Sequence, residues 1–332
     1  MKEYDIRPRK LFDAFLEVSR RDIAAFFSET DKFVNITCPA CDSSCGIPSF
    51  VKHGMQYCEC DRCGSLYMSP RPTRNMIDRY YRESESSKFW AERFFPETAE
   101  ARREKIFRPR ALTLVELLDR VTIPSPAIVA DIGAGYGIFL EELAALDAFE
   151  AVVAIEPSVE LARRCRDRGY RVLEKPIEDL THEDLQASVL TSFEVIEHLF
   201  APVDFLYAAR RLLLPGGVLM FTTLTASGWD IRTLWERSKS VSPPHHINLM
   251  TTEGLFALVS RAGFDVIEIT TPGQLDLDIV NNMLDEDPNM LIDRFSKYLL
   301  RQRGSETHTE FQKLLQEHQL SSHVRVLARA KS

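Results

Sequence analysis

Three glycines at alternate positions, Gly133, Gly135 and Gly137, follow a short apolar run that contains the acidic residue Asp131. A helical pattern begins directly after them, so the segment predicts a strand, a tight turn and the start of a helix. Glycines in such a turn allow a ligand to lie against backbone N–H groups. A turn that binds pyrophosphate needs a small residue where this chain has Ile138, and the carboxylate of Asp131 would repel a phosphate. The pattern therefore favours a cationic ligand over a dinucleotide.

A second acidic residue, Glu156, follows a predicted strand at residues 151–155. Its distance along the chain from Gly133 is close to that of the carboxylate that binds ribose hydroxyls in Rossmann-like folds. A carboxylate accepts two hydroxyl donors and would repel a 2′-phosphate. Two alternatives stay open: Glu156 is an ordinary acid at a strand end, and the glycine turn binds no ligand.

An acidic residue followed by G-x-G-x-G resembles the first motif of class I S-adenosylmethionine-dependent methyltransferases, whose donor is a sulfonium cation without phosphate. Two later segments resemble the same family: Glu-Val-Ile-Glu-His-Leu at residues 194–199 and Leu-Leu-Leu-Pro-Gly-Gly at residues 212–217. The resemblance covers about residues 105–272 and the C-terminal strand, and it implies S-adenosylmethionine as the cofactor. The residues that we assign to cofactor binding are Asp131, Gly133, Gly135, Gly137, Glu156, Pro157, Pro176, Ile177, Phe193 and Glu194.

Two C-x-x-C pairs, Cys38 with Cys41 and Cys60 with Cys63, are separated by eighteen residues. This spacing is typical of a zinc site, because each pair presents two thiolates and two pairs complete a tetrahedron. Four thiolates saturate the ion, so we expect a structural zinc without a catalytic role. A disulfide pairing would need an oxidising compartment, and a redox C-x-x-C would need a thioredoxin-like context. The roles of the remaining cysteines nearby, at positions 45 and 58, stay open.

Residues 64–72 resemble the end of a zinc ribbon that precedes many bacterial methyltransferase domains. The resemblance as a whole implies an α/β fold, with a Rossmann-like doubly wound seven-stranded sheet whose last strand is antiparallel. We expect five parts: an N-terminal helix (1–34), the zinc ribbon (35–72), a helical cover segment (73–118), a methyltransferase domain (119–273 and 321–332) and a helical insertion (274–320). A long insertion with its own helices is usually functional, and we interpret it as a substrate lid or a dimer surface.

Two adjacent histidines, His245 and His246, follow the fifth predicted strand of the large sheet, at the edge where such sheets bind ligands. Their segment resembles the stretch that borders the acceptor pocket in the family. Histidine is the natural general base near neutral pH, so we name both as candidate catalytic residues. The alternative is a pair of histidines that only hydrogen-bond the loop backbone.

A further hypothesis joins Glu194, Glu197 and His198 with one of the two histidines in a second divalent metal site. It resembles a constellation in small-RNA 2′-O-methyltransferases and in some ubiquinone-pathway methyltransferases. Such a metal would orient two vicinal hydroxyls and lower the pKa of one of them. The alternative is that Glu197 and His198 only hold the turn between strand and helix.

The composition narrows the classes of function. The chain has 332 residues, a net charge of −8 and no apolar run of membrane-spanning length, so we expect a cytoplasmic protein without a membrane partner. The acidic balance disfavours contact with a nucleic-acid backbone. We predict a methyltransferase that acts on a small molecule, such as a nucleotide-linked sugar or a biosynthetic intermediate, and that could form a homodimer. The alternatives are an RNA methyltransferase that contacts nucleic acid through the ribbon, and a non-catalytic binding module that retains the fold.

Overall fold

The computed structural model describes residues 1–331, so Ser332, the last residue of the predicted methyltransferase domain, lies outside the described part. The strands are β1 Gly46–Lys52, β2 Met55–Cys60, β3 Leu66–Met68, β4 Ile128–Ile132, β5 Ala151–Ile155, β6 Arg171–Leu173, β7 Ala187–Phe193, β8 Leu213–Leu224, β9 Asn248–Leu249, β10 Phe264–Thr270 and β11 His323–Ala330. The α-helices are α1 Glu3–Ile6, α2 Arg9–Phe26, α3 Arg74–Glu83, α4 Glu85–Phe89, α5 Phe95–Arg102, α6 Arg108–Leu118, α7 Ile138–Ala144, α8 Val159–Asp167, α9 Pro202–Leu212, α10 Trp229–Leu234, α11 Thr252–Arg261, α12 Asp276–Glu286, α13 Arg294–Gln302 and α14 Ser305–Glu317.

Seven strands form one sheet in the order β10-β11-β8-β7-β4-β5-β6. The strands from β4 to β8 pair in parallel, whereas β11 is antiparallel to both of its neighbours. This topology confirms the predicted α/β sheet with an antiparallel last strand. Along β4, Ala130 and Ile132 belong to one hydrophobic cluster and Val129 to another, so both faces of the sheet are covered. The carboxyl ends of β4, β5, β6 and β7 therefore meet at one open edge, where α/β sheets bind ligands.

A second, four-stranded sheet has the order β1-β2-β3-β9. Its first three strands lie in the predicted zinc ribbon, and the fourth comes from the segment that follows the two candidate histidines. The backbone pairs are Leu66 with Leu249 and Tyr67 with Asn248. The ribbon and the histidine segment are thus parts of one sheet.

The cover segment runs over α3 to α6, and two π-helical stretches, Trp90–Phe94 and Arg103–Phe107, connect α4 to α5 and α5 to α6. The insertion consists of α12, α13 and α14, and it has its own hydrophobic cluster around Leu277, Val280 and Leu300. Within residues 1–331, no helix has both the length and the apolar character needed to span a membrane.

Candidate active site

The glycine turn lies between β4 and α7, at the open edge of the large sheet. Its three glycines, Gly133, Gly135 and Gly137, have φ values of +77°, +57° and +74°, a region that side chains disfavour. A Cβ at Gly133 would lie 3.0 Å from the side chain of Val195, and one at Gly137 would lie 3.2 Å from the sulfur of Cys165. The first and third glycines are therefore required by backbone geometry and by close packing, and the binding of a ligand to this turn stays a prediction.

Asp131 lies in β4 just before this turn and is 3% exposed. Its carboxylate accepts a hydrogen bond of 2.7 Å from the hydroxyl of Thr191. Burial raises the pKa of Asp131 to about 7, although the Thr191 hydroxyl and the charge of Arg110 act in the opposite direction. A cation bound beside this carboxylate would stabilise its ionised form.

Glu156 follows β5 directly and faces the same turn. One carboxylate oxygen accepts the backbone N–H of Gly135 at 2.8 Å, and the other accepts the N–H of Ser158 at 2.9 Å. A carboxylate has about four lone-pair sites, so two remain for further donors such as a pair of hydroxyls. Burial raises the pKa of Glu156, and the two backbone donors lower it. The neighbouring Pro157 is exposed.

Three further residues of the predicted cofactor set lie at the next strand ends along the same edge. Pro176 follows β6 and is exposed, whereas Ile177 is 4% exposed and packs into the main hydrophobic cluster. Phe193 ends β7, where its ring lies 4.5 Å from that of Phe139 and beneath the guanidinium of Arg110 at 4.8 Å. The structure thus brings the predicted cofactor residues to one edge. Their role in binding stays a prediction.

Glu194, the residue after β7, has a φ of +55° and a carboxylate with several partners. One oxygen lies 2.8 Å from Arg110, 2.7 Å from the hydroxyl of Thr222 and 2.9 Å from the ring of His323. Burial would raise the pKa of Glu194, but His323 and Arg110 hold it well below its usual range. Sequence reasoning missed Arg110 and His323, because they come from α6 and β11, far from Glu194 along the chain.

Glu197, His198 and His246 form a group whose potential metal-ligand atoms lie within 4.8 Å of one another. The Nδ1 atoms of His198 and His246 lie 2.8 Å and 2.5 Å from the carbonyl oxygens of His245 and Ser240. Because a carbonyl oxygen only accepts, both Nδ1 atoms carry the hydrogen and both Nε2 lone pairs remain available. The predicted second metal site therefore differs in one member: Glu194, engaged by Arg110 and His323, is not part of the group.

The carboxylate of Glu197 is 1% exposed and accepts a hydrogen bond of 2.8 Å from the hydroxyl of Thr223. Burial, and next the charge of Glu194, raise its pKa well above the usual value for a glutamate. A divalent cation held by the two imidazoles would reverse this effect, since an adjacent positive charge favours the carboxylate. The donor set of one carboxylate and two neutral imidazoles suits a first-row divalent metal ion.

The two candidate catalytic histidines have different surroundings. His245 places Nε2 at 2.9 Å from the hydroxyl of Tyr80 and its ring at 5.8 Å from Phe15, under the N-terminal helix. His246 instead belongs to the group with Glu197. Burial lowers the pKa of His246 to about 3 and that of His245 well below its usual value, so both imidazoles are neutral at pH 7. Their catalytic role stays a prediction.

The four predicted zinc ligands, Cys38, Cys41, Cys60 and Cys63, form a group with all sulfurs within 4.8 Å of one another. The sulfurs of Cys38 and Cys63 are 3.6 Å apart, and those of Cys41 and Cys60 are 3.5 Å apart. A tetrahedral ion with Zn–S bonds of about 2.3 Å needs sulfur separations of roughly 3.8 Å, so the four residues fit zinc.

Neither remaining cysteine of the ribbon belongs to this group. Cys45 is exposed, and Cys58 is 7% exposed with its thiol 3.3 Å from the carbonyl oxygen of Ser69. Cys58 is therefore a small buried residue in β2, which pairs with both β1 and β3, and Cys45 is a surface position. The sequence left open whether Cys45 or Cys58 is a metal ligand, and neither belongs to the four-sulfur group.

Arg71, which sequence reasoning missed, joins the ribbon to the histidine segment. It is 0% exposed and donates to the carbonyl oxygens of Met68 and Phe200 at 3.0 and 3.1 Å, and to the side-chain oxygen of Asn248 at 2.9 Å. Next to this contact, Tyr57 of β2 donates its hydroxyl to the carbonyl oxygen of His246 at 2.8 Å. The ribbon thus fixes the backbone of the segment that carries His246.

Residues 100–269 match a family model described as a methyltransferase domain. A ubiquinone biosynthesis O-methyltransferase of Roseobacter denitrificans is 29% identical over 155 residues, which cover 41% of this chain and 62% of the relative. One of Xanthomonas oryzae pv. oryzae is 36% identical over 107 residues, covering 30% of this chain and 43% of the relative. The chain thus spans less than two thirds of the length of these relatives. A solved S-adenosylmethionine-dependent methyltransferase of Clostridium acetobutylicum is 10% identical, with a TM-score of 0.47, and the match covers 72% of this chain and 99% of that one.

Proposed function

We propose, since this chain belongs to the methyltransferase domain family, that it transfers a methyl group from S-adenosylmethionine to a small-molecule acceptor. One observation carries the proposal: two buried carboxylates, Asp131 and Glu156, frame the glycine turn at the open edge of the sheet. The donor is a sulfonium with an ammonium group and two ribose hydroxyls. Asp131 supplies negative charge near the cation, and Glu156 has lone pairs free for the hydroxyls.

Methyl transfer from a sulfonium needs a positioned nucleophile and, for a hydroxyl or an amine that starts protonated, a base. The neutral imidazole of His246 lies near the carboxyl ends of β7 and β8, next to Glu197 and Thr223. It serves either as that base or as the ligand of a metal that activates the acceptor. We propose a biosynthetic intermediate or a nucleotide-linked sugar as the acceptor.

The ribbon offers little to a nucleic acid. Of the four lysines and arginines in residues 31–72, the ribbon with the residues just before it, Arg71 is fully buried and Lys52 donates at 2.7 Å to the carbonyl oxygen of Ser238. Only Lys32 and Arg62 remain exposed, and Lys32 pairs with Glu29 at 2.6 Å. Phosphate-backbone binding needs a continuous basic face. These contacts therefore favour a small-molecule acceptor over RNA.

Thermal unfolding with ligands tests the proposed donor. S-adenosylmethionine and S-adenosylhomocysteine are each expected to stabilise the protein by about 2.7 kcal/mol at a hundred times Kd, and NAD⁺ is expected to have no effect. Glu156→Gln replaces the carboxylate proposed to accept the ribose hydroxyls by a neutral amide, and the variant should lose most of this stabilisation. Glu160→Gln, which changes an exposed glutamate in the first turn of α8, is the matched control. A chain stabilised by NAD⁺ and by neither adenosyl compound would contradict the proposal.

We also propose a divalent metal at Glu197, His198 and His246, on the observation that both imidazoles are held with Nε2 free beside a buried carboxylate. The zinc-loaded protein is expected to bind Mn²⁺ in isothermal titration, with heat that disappears in the Glu197→Gln, His246→Ala double variant. His182→Ala, which changes an exposed histidine elsewhere, is the control. Equal Mn²⁺ heats in the wild type and the double variant would show that the group binds no metal.

A further inference from the structure

Arg102, at the end of α5, is an arginine of the cover segment without a carboxylate partner. It is half-buried, and it donates to the hydroxyl of Thr98 at 3.1 Å and to the carbonyl oxygen of Ile6 at 3.4 Å. Within residues 1–331, no carboxylate lies within ion-pairing distance of its guanidinium. The next residue, Arg103, begins the π-helical stretch and shows the contrast, because it pairs with Glu142 at 2.7 Å.

Aromatic rings hold the guanidinium of Arg102 in place without neutralising its charge. Its central carbon lies 5.5 Å from the ring of Trp90 and 5.8 Å from that of Phe94. Trp90 in turn packs on Phe15 at 5.2 Å, and Phe15 lies 5.8 Å from His245. One aromatic cluster, of Phe15, Trp90 and Phe94, therefore contacts both Arg102 and His245.

Two further positive charges lie close to Arg102. In a regular α-helix, residues 102 and 110 would point in directions about 80° apart around the helix axis. The π-helical stretch between them has more residues per turn, so it reduces this angle and brings Arg110 closer to the face of Arg102. Burial, and next the charges of Arg7 and Arg110, lower the pKa of Arg102 to about 9. Arg110 already has Glu194 as its partner at 2.8 Å, and the carboxylate next to Arg7 is Glu3, at 3.9 Å. Arg110 is thus closely paired and Arg7 is paired only at 3.9 Å, which leaves Arg102 as the arginine of this group without a carboxylate partner.

We propose that Arg102, assisted by Arg7, binds an anionic group of the acceptor, a carboxylate or a phosphate. The proposal rests on the proposed function, since it places this group on the molecule that receives the methyl. A guanidinium removed from water without a counter-ion is unfavourable, and a ligand oxyanion would supply that counter-ion. The planar fork of Arg102 suits two oxygens of a carboxylate or phosphate. The acceptor is thus an anionic small molecule, although the chain itself is acidic.

Isothermal titration on protein saturated with S-adenosylhomocysteine tests the proposal, with benzoate and phenyl phosphate as anionic probes and phenol as the neutral one. Arg102→Gln is expected to weaken both anions about tenfold or more and to leave phenol unchanged. The comparison of benzoate with phenyl phosphate identifies which anion is preferred. Arg108→Gln, which changes a carboxylate-paired arginine on the next turns of the helix, should bind both anions as the wild type does.

Two results would overturn the proposal. One is unchanged binding of both anions by Arg102→Gln. The other is a loss of affinity for S-adenosylhomocysteine but not for 5′-methylthioadenosine, which lacks the amino-acid moiety, because Arg102 would then bind the donor's carboxylate. Should Arg102→Gln not fold, Arg7→Gln provides the same comparison, with a several-fold loss expected for the anions alone. If the wild-type protein bound neither adenosyl ligand, that result would contradict the proposed function itself and not only the role of Arg102.

Discussion

Replacing Cys63 by serine is expected to abolish zinc binding and to melt the ribbon, whereas Cys45→Ser should change neither. The sulfur of Cys63 belongs to the four-thiolate group, and that of Cys45 lies on the surface outside it. A structural zinc contributes on the order of 10 kcal/mol to the folded state, because the site does not exist in the unfolded chain. Metal content after dialysis and the unfolding temperature with and without a chelator measure the effect.

The same substitution should impair the acceptor side of the active site and spare the donor side. The ribbon shares a sheet with Asn248 and Leu249 and hydrogen-bonds the backbone of His246 through Tyr57. The glycine turn lies on the other sheet and has no backbone pairing with the ribbon. We therefore expect Cys63→Ser to lose turnover by a large factor while S-adenosylhomocysteine still stabilises the remaining fold. Retention of zinc, or full activity without it, would contradict the assignment of these four cysteines.

Arg71→Met provides a finer version of this experiment. It keeps the zinc ligands intact and removes the donors to Phe200 and Asn248. Because several buried acceptors are then left without a partner, each at a cost of about 1–3 kcal/mol, the variant should be clearly destabilised. Zinc content should stay unchanged. A variant that loses zinc would show that Arg71 supports the metal group and not the histidine segment.

The sheet and the cofactor edge could be predicted from the sequence because their signals are local. A run such as residues 151–155 is apolar throughout, which is typical of a strand covered on both faces, and β5 has those bounds. The glycine turn requires positive φ at successive alternate positions, and glycine is the residue that adopts such values at little cost. Each of these features is specified by neighbours along the chain.

The partners that tune the site could not be predicted in the same way. Glu194 contacts Arg110 of α6 and His323 of the last strand, and nothing in the spacing of these three residues indicates the contact. For the same reason the sequence placed Glu194 in the second metal group, where helical spacing alone would put it beside Glu197. Likewise, nothing in the Pro-Arg-Pro segment around Arg71 indicates its contacts with Phe200 and Asn248. The pairing of β3 with β9 brings Asn248 to the ribbon.

The affinity for S-adenosylmethionine is expected to fall about tenfold for each pH unit below 7 and to level off above it. In the ligand-free protein burial raises the pKa of Asp131 to about 7, so the carboxyl is largely protonated at lower pH. The cationic donor binds the ionised form, so protons compete with it. Isothermal titration from pH 5.5 to 7.5 measures the slope. Asp131→Asn should bind more weakly at pH 7.5 and show a much flatter profile, with any residual slope attributable to Glu156.

Asp131→Asn should raise the stability of the ligand-free protein at high pH, although it lowers the affinity for the donor. A buried carboxyl whose pKa is raised by folding contributes stability that is present below its unfolded value, near 4, and lost as the pH rises through about 7. At pH 8 the wild type therefore holds an ionised Asp131 in a buried site, while Asp131→Asn keeps an acceptor for Thr191 without the charge. The variant should unfold at a higher temperature than the wild type at pH 8, and the difference should shrink towards pH 4. Weaker donor binding combined with higher stability in Asp131→Asn would show that the charge of Asp131 serves donor binding at a cost in stability. A variant that loses both would show instead that its role is to hold the turn in place.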